Sequence, residues 1–75
     1  MSLLDPQLQA FMAITRLGTV HAAAESLFLT QTAVTTRIKM LEQKLKVSLF
    51  SRTRRGMLLT PEGETLLRYC QTVED

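Results

Sequence analysis

Ala22-Ala23-Ala24-Glu25-Ser26-Leu27, then Phe28-Leu29, then Thr30-Gln31-Thr32-Ala33-Val34-Thr35-Thr36-Arg37-Ile38: the reading of this stretch decides the fold. Thr19, just ahead of it, caps a short second helix. The three alanines are strong helix formers with almost no side chain, so another helix must approach closely there. Leu27-Phe28-Leu29 closes that helix, and Thr30 is the next N-cap. A gap of only a few residues forces the second and third helices to cross at a steep angle. The third helix is expected over Gln31 to Leu45. Val34, Ile38, Leu41 and Leu45 line one face at i, i+4, i+7, i+11 spacing. Thr32, Thr35, Thr36, Lys39 and Gln43 occupy the other face, on which no acidic and no large apolar residue is expected to lie exposed. Threonine is a mediocre helix former, so three of them there are not what stability alone selects.

Outward from this centre the signals are as clear. Asp5-Pro6 pairs an N-cap with a proline at the first helical position. Leu8, Phe11, Met12 and Ile14 then repeat at helical spacing until Gly18 stops the first helix after Leu17. Beyond Lys46, the apolar segments Val47 to Phe50 and Met57 to Thr60 flank Ser51-Arg52-Thr53-Arg54-Arg55-Gly56. This predicts a β-hairpin with a basic tip, Gly56 supplying the positive φ of its turn. Thr60-Pro61 starts a fourth helix carrying Leu66, Leu67, Cys70 and Val73. Three helices, a basic hairpin and a helix predict a mainly α winged helix-turn-helix. Residues 1–60 are read as that domain and 61–75 as the start of a linker or dimerisation helix.

A chain of 75 residues has a thin core, and small domains usually need a staple. One cysteine excludes an internal disulfide, and one cysteine with one histidine excludes a structural zinc site. Good packing or self-association remains. Hydrophobic residues at 45% with 21% charged fit a soluble globular domain. No apolar run approaches the ~20 residues of a membrane span, and no secretion signal precedes the first helix. The expectation is a soluble, cytoplasmic protein. The net charge of +2 hides a band: residues 37–55 hold Arg37, Lys39, Lys44, Lys46, Arg52, Arg54 and Arg55 against Glu42 alone. Such a band suits nucleic acid or anionic lipid, or it is merely a solvated surface.

Catalytic chemistry is sparse. The carboxylates are scattered, Glu62 and Glu64 sit at a helix start where they favour the dipole, and no glycine-rich phosphate loop exists. His21 has no evident nucleophile or orienting acid and reads as a plain surface residue. Cys70 reads as a small packing residue. No enzyme, metal or cofactor is expected. For DNA the parts belong together. The N-terminal half of the third helix fits the major groove, with Gln31 paired to adenine and the methyls of Thr32, Thr35 and Thr36 near thymine methyls. Arg37 and Lys39 suit phosphates or guanine. Arg52, Thr53, Arg54 and Arg55 on the hairpin suit flanking backbone or a narrow minor groove. Two rivals stand beside this. A protein-interaction module would want exposed large apolar residues on the third helix. A membrane-surface element would want bulky apolar residues opposite a basic helix face.

Ala23-Ala24-Glu25-Ser26-Leu27, Thr30 to Ile38, Leu41-Glu42, Leu49-Phe50-Ser51-Arg52-Thr53 and Leu59-Thr60-Pro61-Glu62-Gly63 resemble, in unbroken order, the amino-terminal domain of the LysR-type transcriptional regulators. The resemblance implies a winged helix-turn-helix that binds an inverted-repeat operator in double-stranded DNA as a homodimer. It implies base contacts at Gln31, Thr32, Thr35 and Thr36 and a wing contact at Arg52. Thr32 stands where the family often has proline, and Thr36 where it often has arginine. Arg37 lies ~100° further round the helix and does not replace that arginine. Lys46 stands where the family often has glycine. The family's effector-sensing domain is not in these residues, so the chain is expected to be the DNA-binding piece of a longer regulator. The strip Leu66, Leu67, Cys70 and Val73 is expected to pack on the same helix of a second chain, the alternative being a fold-back on its own domain.

Overall fold

Asp5 opens the first helix, its carboxylate accepting the Gln7 N–H at 2.8 Å ahead of Pro6. The computed structural model describes residues 5–74, with the side chains of Val73 and Glu74 outside the description. Helix α1 (Pro6–Leu17) buries Leu8, Ala10, Phe11, Ala13 and Ile14, so it is the central rod of the domain. Gly18 ends it with φ 92°, its N–H donating to the Ile14 carbonyl at 2.7 Å. Helix α2 (Val20–Leu27) follows, the Thr19 hydroxyl accepting the Ala22 N–H at 3.0 Å. Ala23 and Ala24 are buried, which is the close helix approach that the alanine run predicts.

Only Phe28, Leu29 and Thr30 separate α2 from α3 (Gln31–Leu45). Phe28 takes a left-handed conformation at φ 58° and caps α2, while the Thr30 hydroxyl caps α3 through the Ala33 N–H at 3.1 Å. Val34, Ile38 and Leu41 are buried against α1 and α2. Lys46 ends α3 in the left-handed region at φ 59°. It therefore holds a conformation that glycine adopts without penalty.

The hairpin is present, but its strands lie nearer the tip than the apolar pattern predicts. Strands β1 (Phe50–Thr53) and β2 (Gly56–Leu59) pair antiparallel, Phe50 opposite Leu59 and Thr53 opposite Gly56. Arg54 and Arg55 alone form the turn, closed by the Thr53 hydroxyl donating to the Gly56 carbonyl and accepting the Arg55 N–H. Val47 to Leu49 lie before the paired strand. The Leu49 N–H is diverted to the Glu42 carboxylate at 2.7 Å, while the Leu49 carbonyl still accepts the N–H of Thr60, the next residue in register, at 3.0 Å. Phe50 packs its ring against Phe11, centroids 5.4 Å apart, joining the wing to α1.

Helix α4 (Pro61–Glu74) begins at Thr60, whose hydroxyl accepts the Gly63 N–H at 3.0 Å. Its apolar strip turns inward. Cys70 is fully buried in the core of its own chain, and Leu66 and Leu67 are half-buried against that core. This corrects the expectation of Cys70 as an interface residue. Gly63, Leu66 and Cys70 recur at helical spacing, so one face lies against the domain. The side chain of Val73 falls outside the described residues.

Candidate nucleic-acid interface

Seen along α3, the buried line through Val34, Ile38 and Leu41 leaves Gln31, Thr32, Thr36 and Lys39 exposed on the outward side. Thr35 is half-buried on the flank of that face. It lines a shallow groove with Lys39, Glu42, Phe50, Arg52 and Met57, where helix and wing meet. At about 170 Å³ the groove is smaller than the ~300 Å³ at which small-molecule sites begin. Arg52, Arg54 and Arg55 are exposed along the wing, so Lys39 and three arginines flank the threonine face with positive charge.

Arg37 is half-buried and stands ~160° around the helix from Lys39, on the flank away from the wing. Thr53, also exposed on the wing, donates its hydroxyl hydrogen to the Gly56 carbonyl at 3.0 Å and so braces the turn that carries Arg54 and Arg55. Lys44 lies 3.9 Å from the Asp5 carboxylate, a loose surface pair across α3 and α1. One large apolar side chain on α3 is exposed against expectation: Met40, at 50%, one turn beyond Thr36. A single side chain makes no contiguous patch.

Sequence reading missed two groups that build the interface. Glu42 is one: its carboxylate holds the entry to β1 against α3 and so sets the distance between helix and wing. Its place in a helix interior gives no local sign of that. His21 is the other. It is exposed, as expected, but its Nε2 lies 2.7 Å from Glu25 Oε1 and its Nδ1 3.1 Å from Gln31 Nε2. The i, i+4 spacing of His21 and Glu25 is a legible sign. The link to Gln31 needs the crossing of α2 and α3. Among the described residues no cluster of three or more His, Cys, Asp or Glu side chains could hold a metal ion. No helix among them is long and apolar enough to cross a membrane.

Three helices with α3 exposed at its N-terminal half, and a basic two-stranded wing beside it, define a winged helix-turn-helix domain. Residues 6–64 match the family model described as bacterial regulatory helix-turn-helix protein, lysR family. The chain belongs to that family and is its helix-turn-helix DNA-binding domain. It is similar to the HTH-type transcriptional regulator YofA of Bacillus velezensis, 52% identical over 61 residues, which is 81% of this chain and 21% of that protein. The fold is similar to that in a complex of the CbnR DNA-binding domain with DNA, at TM-score 0.85 and 33% identity, covering 97% of this chain and 82% of that one. It is equally similar to a BenM DNA-binding domain bound to catB site 1 DNA, at TM-score 0.86 and 29% identity, covering 97% and 80%. The chain spans between a fifth and a quarter of the length of the curated relatives it matches.

Proposed function

We propose that this domain regulates transcription by seating the N-terminal half of α3 in the major groove of an inverted-repeat operator. Gln31, Thr32, Thr35 and Thr36 meet base edges there, Lys39 with Arg52, Arg54 and Arg55 hold the adjacent backbone or minor groove, and Arg37 reaches the phosphates on the opposite flank. The observation that carries this reading is the groove in which Lys39 and Thr35 of α3 face Arg52 of the wing. Base-reading and phosphate-binding groups thus share one surface. Residues 1–60 act as the reading unit, and 61–75 begin the helix that links to the rest of the regulator. Two copies pair through α4, using the half-exposed edges of Leu66 and Leu67 with Tyr69, which is 46% exposed. The homodimer matches the two half-sites of an inverted repeat. Such a regulator works where the chromosome is, in the cytoplasm.

Salt dependence tests it. Affinity for duplex DNA falls steeply with added salt, and Arg52→Ala lowers the slope of log K against log [salt] by about 0.9 per protomer for each phosphate that Arg52 neutralises. Arg52→Ala weakens binding to all sequences alike, whereas Gln31→Ala and Thr35→Ala mainly relax sequence preference. Uniform behaviour of all three variants would contradict the division between helix and wing.

A further inference from the structure

The His21 ring bridges the two helices of the motif at the residue expected to read a base. Glu25 supplies a carboxylate 2.7 Å from Nε2, and a carboxylate only accepts. The ring proton of a neutral imidazole therefore sits on Nε2, and Nδ1 is left as an acceptor. Facing it at 3.1 Å is the Gln31 side-chain amide nitrogen, which donates. The charged group held against the ring is Glu25, on the same helix; α3 contributes the uncharged Gln31.

From this geometry we propose that His21, held by Glu25, is a positioning residue that sets the Gln31 amide to read adenine. The inference rests on the reading of Gln31 as a base contact. Adenine presents N7 as acceptor and N6–H as donor in the major groove, so its reader must offer one N–H and one carbonyl oxygen together. A glutamine amide has two N–H groups and an oxygen. Committing one N–H to His21 leaves the complementary pair for the base. The arrangement works as preorganisation, since a glutamine free to rotate loses more freedom on binding.

The test uses the 75-residue chain selected against a randomised duplex pool, followed by affinities for the retained duplex and for its copies substituted at the adenine that Gln31 reads. His21→Ala lowers the adenine preference by about 3- to 10-fold, the range for ordering one flexible side chain, with unchanged melting temperature and unchanged affinity for a scrambled duplex. His21→Asn retains the preference, because its Oδ1 stands near the former Nδ1 and accepts the same N–H. If Gln31→Ala abolishes the preference while His21→Ala leaves it intact, the positioning role is overturned and the reading of Gln31 stands. If Gln31→Ala itself leaves the preference intact, the underlying reading fails.

Discussion

Gly63→Ala separates what helix propensity predicts from what this tertiary structure predicts. Alanine in a helix interior is favoured over glycine by ~1 kcal/mol, so propensity alone predicts a more stable domain. A Cβ at Gly63, however, would collide with the Leu49 carbonyl oxygen and stand 2.9 Å from Leu59 Cδ2 and 3.2 Å from the Leu49 carbonyl carbon. Ordinary carbon–oxygen contacts begin near ~3.3 Å, so α4 must retreat by about 1 Å. Neither side yields readily, since the Leu49 carbonyl also accepts the Thr60 N–H at the cap of α4. Overpacking costs ~1–3 kcal/mol, and against fixed backbone the upper end, ~3 kcal/mol, applies. After the gain in propensity, the expected net loss is ~2 kcal/mol. For a domain of this size that lowers the melting temperature by roughly 8–16 °C. Thermal unfolding followed by far-UV circular dichroism measures it. An unchanged or raised melting temperature would refute the close approach of α4 to the start of the wing.

Other outcomes follow from named contacts. Lys46→Gly raises stability by up to ~1 kcal/mol in urea unfolding, because φ 59° strains lysine while glycine's greater unfolded-state freedom returns part of the gain. Phe28→Asn behaves likewise, since Phe28 combines φ 58° with 95% exposure and gives up no packing when replaced. Glu42→Ala removes the acceptor of the Leu49 N–H, a charge-assisted bond worth ~1.5–3 kcal/mol. It lowers both thermal stability and duplex affinity, and Glu42→Gln, which keeps a carbonyl oxygen, loses less of each in the same two assays. Sedimentation across a concentration range detects a concentration-dependent dimer that Tyr69→Glu weakens; a strict monomer throughout would end the proposed pairing through α4.

Most of the architecture is legible in local chemistry. Asp5, Thr19, Thr30 and Thr60 each cap a helix through their own side chain. Capping is decided within a few residues of chain, so these starts can be read without tertiary knowledge. The ends at Gly18, Phe28 and Lys46 are left-handed, and only the first of them carries the residue that announces it. The strands are harder. Apolar runs mark what is buried, not which backbone groups pair, and the Glu42 carboxylate diverts the Leu49 N–H from the ladder. For the interface, the threonine face and the wing arginines are visible as residue types, and Gln31, Thr32, Thr36 and Lys39 are indeed exposed together. The position of Arg37 on the far flank follows from helix periodicity alone, whereas the use of the Thr53 hydroxyl inside the turn does not.

The amino-acid sequence by itself determined the order of elements, the helix starts, the buried line of α3 and the charge of the wing, because each depends on neighbours one or two turns away. Tertiary structure alone decided the direction of α4, the separation of wing from helix and the meeting of His21 with Gln31. Those depend on side chains from different elements arriving at the same place. Cys70 illustrates the difference. Its apolar strip is plain in the sequence, but whether that strip meets a partner or its own core turns on whether α4 can come near enough to the Leu49 carbonyl. Gly63, by having no Cβ, makes that approach possible.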